Sequence, residues 1–197
     1  MSAIERLRQR KSTRKAQFGG DGPTYSIFLV DDEAPNLDAL ARSLGDRYKV
    51  TKFESATEAL ETISADGCPD LIITDQRMPG MTGVEFLTAV GEMHPQSVGI
   101  VLSGFTERKD LVGAVNTGRV FSYVTKPWQA ETLLDTITSA LEYSNKRQEQ
   151  AVITDELKDL GSQFDDLAEL LGDDSGELDD ISTRLDKMTA ALELLDS

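Results

Sequence analysis

The stretch SIFLVDDEAPNLDALARSL, residues 26–44, changes character once, at a pair of aspartates. Ser26 to Val30 is a short apolar run with the look of a strand buried on both faces. After Asp31-Asp32-Glu33, Leu37, Leu40 and Leu44 recur at the spacing of one helical face over 35–45. A strand that passes through an acidic turn into a helix is the first half of a βαβ unit. The alternation then repeats along the chain. YKVTKF (48–53) reads as a strand and 55–65 as a helix with Ala59, Leu60 and Ile63 apolar. LIIT (71–74) reads as a buried strand and 83–93 as a helix. SVGIVLS (97–103) is a strand, 107–117 a helix, VFSYVT (120–125) a strand, and a long helix begins near Trp128. This pattern predicts an α/β fold, a five-stranded parallel sheet with helices on both faces. Ligands of such sheets bind beyond the carboxyl ends of the strands, where the strand order reverses.

Composition narrows the chemistry. The 197 residues carry one cysteine, Cys68, and one histidine, His94, so a Cys/His zinc site and an internal disulfide framework are excluded. The longest near-continuous apolar run, Tyr25 to Val30, is too short to span a bilayer, and the basic N-terminus lacks the apolar core of a secretory signal. No integral membrane association and a cytoplasmic location are expected. What the chain has in quantity is carboxylate, with a formal net charge of −15. That charge is unevenly placed. Residues 1–24 hold six bases against two acids, whereas residues 151–197 hold fourteen acids against three bases.

The strand ends collect the chemistry. The first ends in Asp31-Asp32-Glu33, the third in Asp75, the fourth in Ser103-Gly104 and the fifth in Thr125-Lys126-Pro127. Carboxylates brought into one crevice repel each other, and a hard divalent cation such as Mg²⁺ resolves the repulsion with oxygen ligands. Adding a lysine and a hydroxyl gives a set suited to phosphoryl transfer, whose oxygens need neutralising from several sides. A carboxylate can itself be the nucleophile. Taken singly, Asp31-Asp32 could cap a helix and Lys126 could lie in a solvated turn; as a set at four strand ends they point to a site.

IFLVDDEAPN (27–36), LIITDQRMPGMTG (71–83), IVLSGF (100–105) and YVTKPW (123–128) together resemble the receiver domain of two-component response regulators, over roughly residues 24–145. The resemblance implies a flavodoxin/CheY-like fold and a phosphoryl group accepted on Asp75 from a histidine kinase or phosphotransfer protein. It implies a Mg²⁺ site made by Asp32 and Asp75, by Asp31 partly through water, and by the backbone carbonyl of Arg77. Lys126 is then expected to pair with the phosphoryl oxygens across a cis bond to Pro127, and Ser103 to donate to one of them. Tyr123 is the expected switch, turning inward once Ser103 has moved. The receiver itself is expected to catalyse Mg²⁺-dependent phosphorylation and dephosphorylation. Arg77 and Phe105, two residues past Asp75 and Ser103, border the expected path of the attacking water and should slow hydrolysis.

The ends of the chain suggest the output. Domain bounds are read as a basic arm (1–23), a receiver (24–147) and an acidic helical association module (148–197). In the last of these, Ile153, Leu157, Leu160, Phe164, Leu167 and Leu171 make a heptad seam, resumed in phase by Leu178, Ile181, Leu185, Met188, Leu192 and Leu195. Gly172 as a C-cap and Asp174 with Glu177 as a capping box favour a hairpin, while the unbroken phase favours a continuous coiled coil; both stay open. Net negative charge opposes phosphate contact, so no DNA binding is expected of this tail. Signalling through protein contacts, with a homodimer through the C-terminal helices, is the expected output. The alternatives are a helical phosphatase effector, with Gln163 beside Asp159 or Asp166, and a phosphate sink without output. The arm's AIERLRQR (3–10) could form a basic helix for an acidic partner, an anionic lipid surface or the acidic tail itself, or be a solvated arm. His94, Cys68 and Trp128 read as a surface residue, a turn residue and an anchor of the last helix.

Overall fold

The computed structural model of the protein describes residues 25–104, 120–171 and 177–194. Among these, five strands form one parallel sheet in the order β2-β1-β3-β4-β5: β1 (Ser26–Val30), β2 (Lys49–Phe53), β3 (Leu71–Asp75), β4 (Gly99–Ser103) and β5 (Val120–Thr125). The helices are α1 (Ala34–Leu44), α2 (Ala56–Asp66), α3 (Gly83–Met93), α4 (Ala130–Leu171) and α5 (Glu177–Leu194). The helix expected over 107–117, the N-terminal arm, Phe105 and residues 172–176, with the expected C-cap and capping box, lie outside the described residues or rest on them.

Alternation along the strands divides the core in two. Ile27, Leu29, Ile73, Ile100 and Leu102 point to one face, where α1 supplies Leu37, Leu40 and Leu44 and α4 supplies Leu133 and Ile137. Val30, Ile72 and Val101 point to the other, covered by Ala59 and Ile63 of α2 and Phe86, Leu87 and Val90 of α3. β3 and β4 are buried at every position, as a central parallel sheet covered on both sides requires. The reversal of strand order lies between β1 and β3, and the register (Val30 beside Thr74, Asp75 beside Leu102, Ser103 beside Thr125) brings the carboxyl ends level. The reversal of strand order that marks where such sheets bind ligands is therefore at the ends of β1 and β3.

Helix starts are fixed locally. α1 opens with a proline in its first turn, where the missing N–H costs nothing. Its N-cap Glu33 makes no side-chain cap, so Asp31 and Asp32 are not the cap that their position alone could suggest. α2 is capped by Ser55, which accepts from the Thr57 N–H. α3 starts in a capping box between Thr82 and Glu85. The hydrogen bonds from Thr82 hold the Glu85 carboxyl below the usual carboxylate range.

The described residues fall into two compact units, one ending at Asn145 and the other beginning at Lys146. α4 runs without interruption through this point, because YSNKRQEQAV contains neither proline nor glycine to stop it. In the second unit a Cβ built on Gly161 of α4 would lie 3.9 Å from Asp186 Oδ1 of α5. A continuous rod would hold these two residues about 37 Å apart, so the chain folds back as a helical hairpin. In this unit Gly161, Ser182 and Thr189 are buried, and Leu157, Phe164, Leu185 and Leu192 are half-buried. Among the described residues, no helix is long and apolar enough to cross a membrane.

Candidate functional site

Asp31 sits one residue past β1, almost wholly buried. Its carboxylate is held from both sides. Oδ1 accepts from the Glu33 N–H at 3.0 Å and from Asn36 Nδ2 at 3.0 Å. Oδ2 accepts from Asn36 Nδ2 at 3.1 Å and from Lys126 Nζ at 3.0 Å. Asp32, next in the chain, is exposed on the rim. Asp75 closes β3, with Oδ2 accepting from the Arg77 N–H at 2.9 Å and Oδ1 pairing with Lys126 Nζ at 2.5 Å. The lysine thus bridges the carboxylates that end β1 and β3.

Lys126 is positioned by its own backbone: its N–H donates to Ser103 O at 2.8 Å, and its bond to Pro127 is cis, as the resemblance implied. Burial alone would lower the pKa of its ammonium. The hydrogen bonds and charges of Asp75 and Asp31 outweigh that and raise it above the ordinary lysine value. Ser103, at the end of β4, is fully buried, and its Oγ has no hydrogen-bond partner among the described residues. A buried hydroxyl left unpaired costs about 1–3 kcal/mol, so the site stores an unmet demand for an acceptor. Tyr123 on β5 packs against the α2/α3 core, its buried Oη also without a partner among the described residues, and burial raises its pKa.

The sequence-derived set is thus partly gathered. Asp31, Asp75 and Lys126 meet directly, with Ser103 held beside Lys126 through its carbonyl. Among the described residues no three carboxylate, imidazole or thiol side chains form a ready cluster, because the Lys126 ammonium stands between Asp31 and Asp75 and Asp32 lies outward. The donors available are nonetheless all oxygens, the type a hard divalent cation takes.

Two further residues shape the site. Asn36, in the first turn of α1, binds both Asp31 oxygens and fixes that carboxylate. Gly83 opens α3 directly against β3: a Cβ there would run into Asp75 O and lie 3.0 Å from Thr74 Cγ2. Both stand within the motifs quoted above, but nothing in their residue type announces a contact with Asp31 or Asp75. Elsewhere, Gln163 Nε2 donates to Asp159 Oδ2 at 2.9 Å as an exposed pair along α4. The His94 N–H closes the end of α3, and Trp128 packs on the α1/α4 core. Burial pushes the Cys68 thiol up to about 12, which leaves it protonated and unreactive at neutral pH.

Residues 27–138 match the family described as response regulator receiver domain. The hydrogenase transcriptional regulatory protein HoxA of Cupriavidus necator is 41% identical over 117 residues, which are 59% of this chain and 24% of that protein. Its namesake in Bradyrhizobium diazoefficiens is 34% identical over 124 residues, 63% of this chain and 25% of that one. The chain therefore spans a quarter or less of the length of these relatives. Among solved structures, a response regulator receiver domain protein of Clostridium thermocellum superposes with a TM-score of 0.57 at 27% identity, over 61% of this chain and 97% of that one.

Proposed function

We propose a function from one premise: the chain belongs to the response regulator receiver family. Asp75 accepts a phosphoryl group from a phosphohistidine on a kinase or phosphotransfer protein. A carboxylate oxygen of Asp75 supplies the electron pair, the bond from phosphorus to the donor nitrogen breaks, and the imidazole leaves after taking up a proton. The observation that carries this reading is the bridge at the strand ends, where Lys126 Nζ lies 2.5 Å from Asp75 Oδ1 and 3.0 Å from Asp31 Oδ2. Its ammonium neutralises charge on the incoming phosphoryl oxygens, and Ser103 Oγ, which has no hydrogen-bond partner among the described residues, donates to one of them.

The oxygen donors fit Mg²⁺, with Asp32, Asp75 and the Arg77 carbonyl as direct ligands. Asp31, whose carboxylate already accepts four hydrogen bonds, acts partly through water. When bound, the ion would supply positive charge to neutralise the oxygens of the transferring group. Ser103 moves toward the phosphoryl group, and Tyr123 turns into the space it leaves, changing the β5 surface. Output runs through protein contacts rather than DNA. The acidic hairpin supports this, with an apolar seam that pairs with a second copy of the chain. Labelling with acetyl phosphate and Mg²⁺ tests the assignment: wild type labels and Asp75→Asn does not, whereas persistent labelling of the variant would place the acceptor elsewhere.

A further inference from the structure

Three buried polar atoms without a hydrogen-bond partner among the described residues lie on one face of the sheet: Gln76 Oε1, Ser103 Oγ and Tyr123 Oη. They belong to neighbouring strands. Gln76 follows β3 and continues its ladder, with its N–H donating to Leu102 O at 2.9 Å, which sets it beside Ser103 on β4. Tyr123 on β5 pairs with Val101, two residues before Ser103. Paired residues of a parallel ladder point to the same face, and so do residues two apart in a strand. Val101 and Tyr123 belong to the core under α2 and α3, so Ser103 and Gln76 are on that face too.

Ser103 and Tyr123 each carry a hydroxyl that can donate, whereas a glutamine Oε1 only accepts. Once Asp75 carries a phosphoryl group, Ser103 Oγ donates to it and Tyr123 turns into the space left behind. The Tyr123 hydroxyl is then the donor and Gln76 Oε1 the acceptor that remain, on either side of Ser103. Two strand spacings and two residues separate their Cα atoms, about 12 Å. A glutamine Oε1 reaches about 5 Å and a tyrosine Oη about 6.5 Å from its Cα, so one hydrogen bond of about 2.8 Å closes the gap. Burial raises the Tyr123 pKa, which keeps its hydroxyl a donor at neutral pH.

We propose that Gln76 latches the switch: in the phosphorylated protein its Oε1 accepts a hydrogen bond from Tyr123 Oη. Gln76 is a positioning residue, acting on the β5 surface through Tyr123. The proposal rests on the phosphoryl-acceptor reading above and names the partner that holds Tyr123 in its turned position. Modification then satisfies all three buried atoms together, Ser103 by the phosphoryl group and the other two by each other. Because the latch forms only in the modified state, it strengthens whatever creates that state by the same factor.

A double-mutant cycle in the full chain tests it, read as calorimetric affinity for the phosphoryl mimic beryllofluoride with Mg²⁺. Gln76→Met and Tyr123→Phe each weaken binding about fivefold, the worth of one hydrogen bond, and the double variant binds no more weakly than either single one. Single effects that multiply in the double variant overturn the latch, as does wild-type affinity in either single variant. Denaturant unfolding without the mimic shows no coupling between the two positions. Equal coupling there overturns the latch by making the contact a fixed feature of the fold. Asp75→Asn separates the two readings. A wild type that binds the mimic no better than Asp75→Asn defeats the acceptor assignment and the latch with it. Tight wild-type binding with independent single effects defeats the latch alone.

Discussion

At the scale of single residues, Lys126 concentrates the electrostatics of the site. Its pKa is raised in the folded state, so its pairing with Asp75 and Asp31 contributes stability that is fully present below the ordinary lysine value of 10.5. That contribution is lost as pH rises through the higher folded-state value. Denaturant unfolding followed upward past pH 10.5 should show wild type losing stability faster than Lys126→Met, which has no ammonium to titrate. A parallel decline in both proteins would assign the loss to other groups. Ser103 makes the opposite case. Its hydroxyl has no hydrogen-bond partner among the described residues, so Ser103→Ala removes an unpaired buried group and should raise the unfolding free energy, by up to about 1–3 kcal/mol. The same variant should label more weakly with acetyl phosphate, because the missing donor matters only once a phosphoryl group is present. Asn36 was not legible as part of this site: an asparagine in a helical first turn carries no sign of the carboxylate it will hold, and only the fold of the β1–α1 turn brings them together.

At the scale of elements, the start of α3 joins stability to chemistry. Thr82 and Glu85 satisfy helix-end N–H groups reciprocally, and Thr82→Ala should cost about 1 kcal/mol, measured by thermal or denaturant unfolding. One residue on, Gly83 leaves no room for a side chain against Asp75 O. Gly83→Ala should therefore cost about 1–3 kcal/mol and also lower labelling, because the displaced atoms belong to the residue that accepts the group. An alanine that leaves labelling intact would show that β3 and α3 can separate without disturbing Asp75. Most element bounds were readable because their periods are strong: β1, α3 and β5 lie where the sequence puts them. β4 begins at Gly99 rather than at Ser97, because Ser97 instead closes a turn onto His94 O. The buried side of the hairpin was not readable. The heptad places its leucines in the seam, yet Gly161, Ser182 and Thr189 are the buried positions and Ile153 and Leu160 are exposed. Which faces are covered depends on more than one segment at once, so a single helix's heptad does not reveal it.

At the scale of the whole molecule, the chain combines a response regulator receiver domain with a strongly acidic helical unit. Truncation after Gln150 should leave a monomer that still labels on Asp75, while the full chain self-associates as concentration rises; sedimentation measures both. Identical association of the two proteins would move the dimer surface into the receiver. By itself the sequence determined the alternation of strands and helices, the acidic and lysine-bearing strand ends, and the two oppositely charged termini, because local period and residue type are properties of short segments. The tertiary structure decided what those features become together. It set Lys126 between Asp31 and Asp75 instead of leaving three carboxylates facing one another. It folded the tail back at the close approach of Gly161 to Asp186, and it tied Tyr25 to Asn145. Each of these joins residues far apart in the chain, and no local pattern encodes which distant groups will meet.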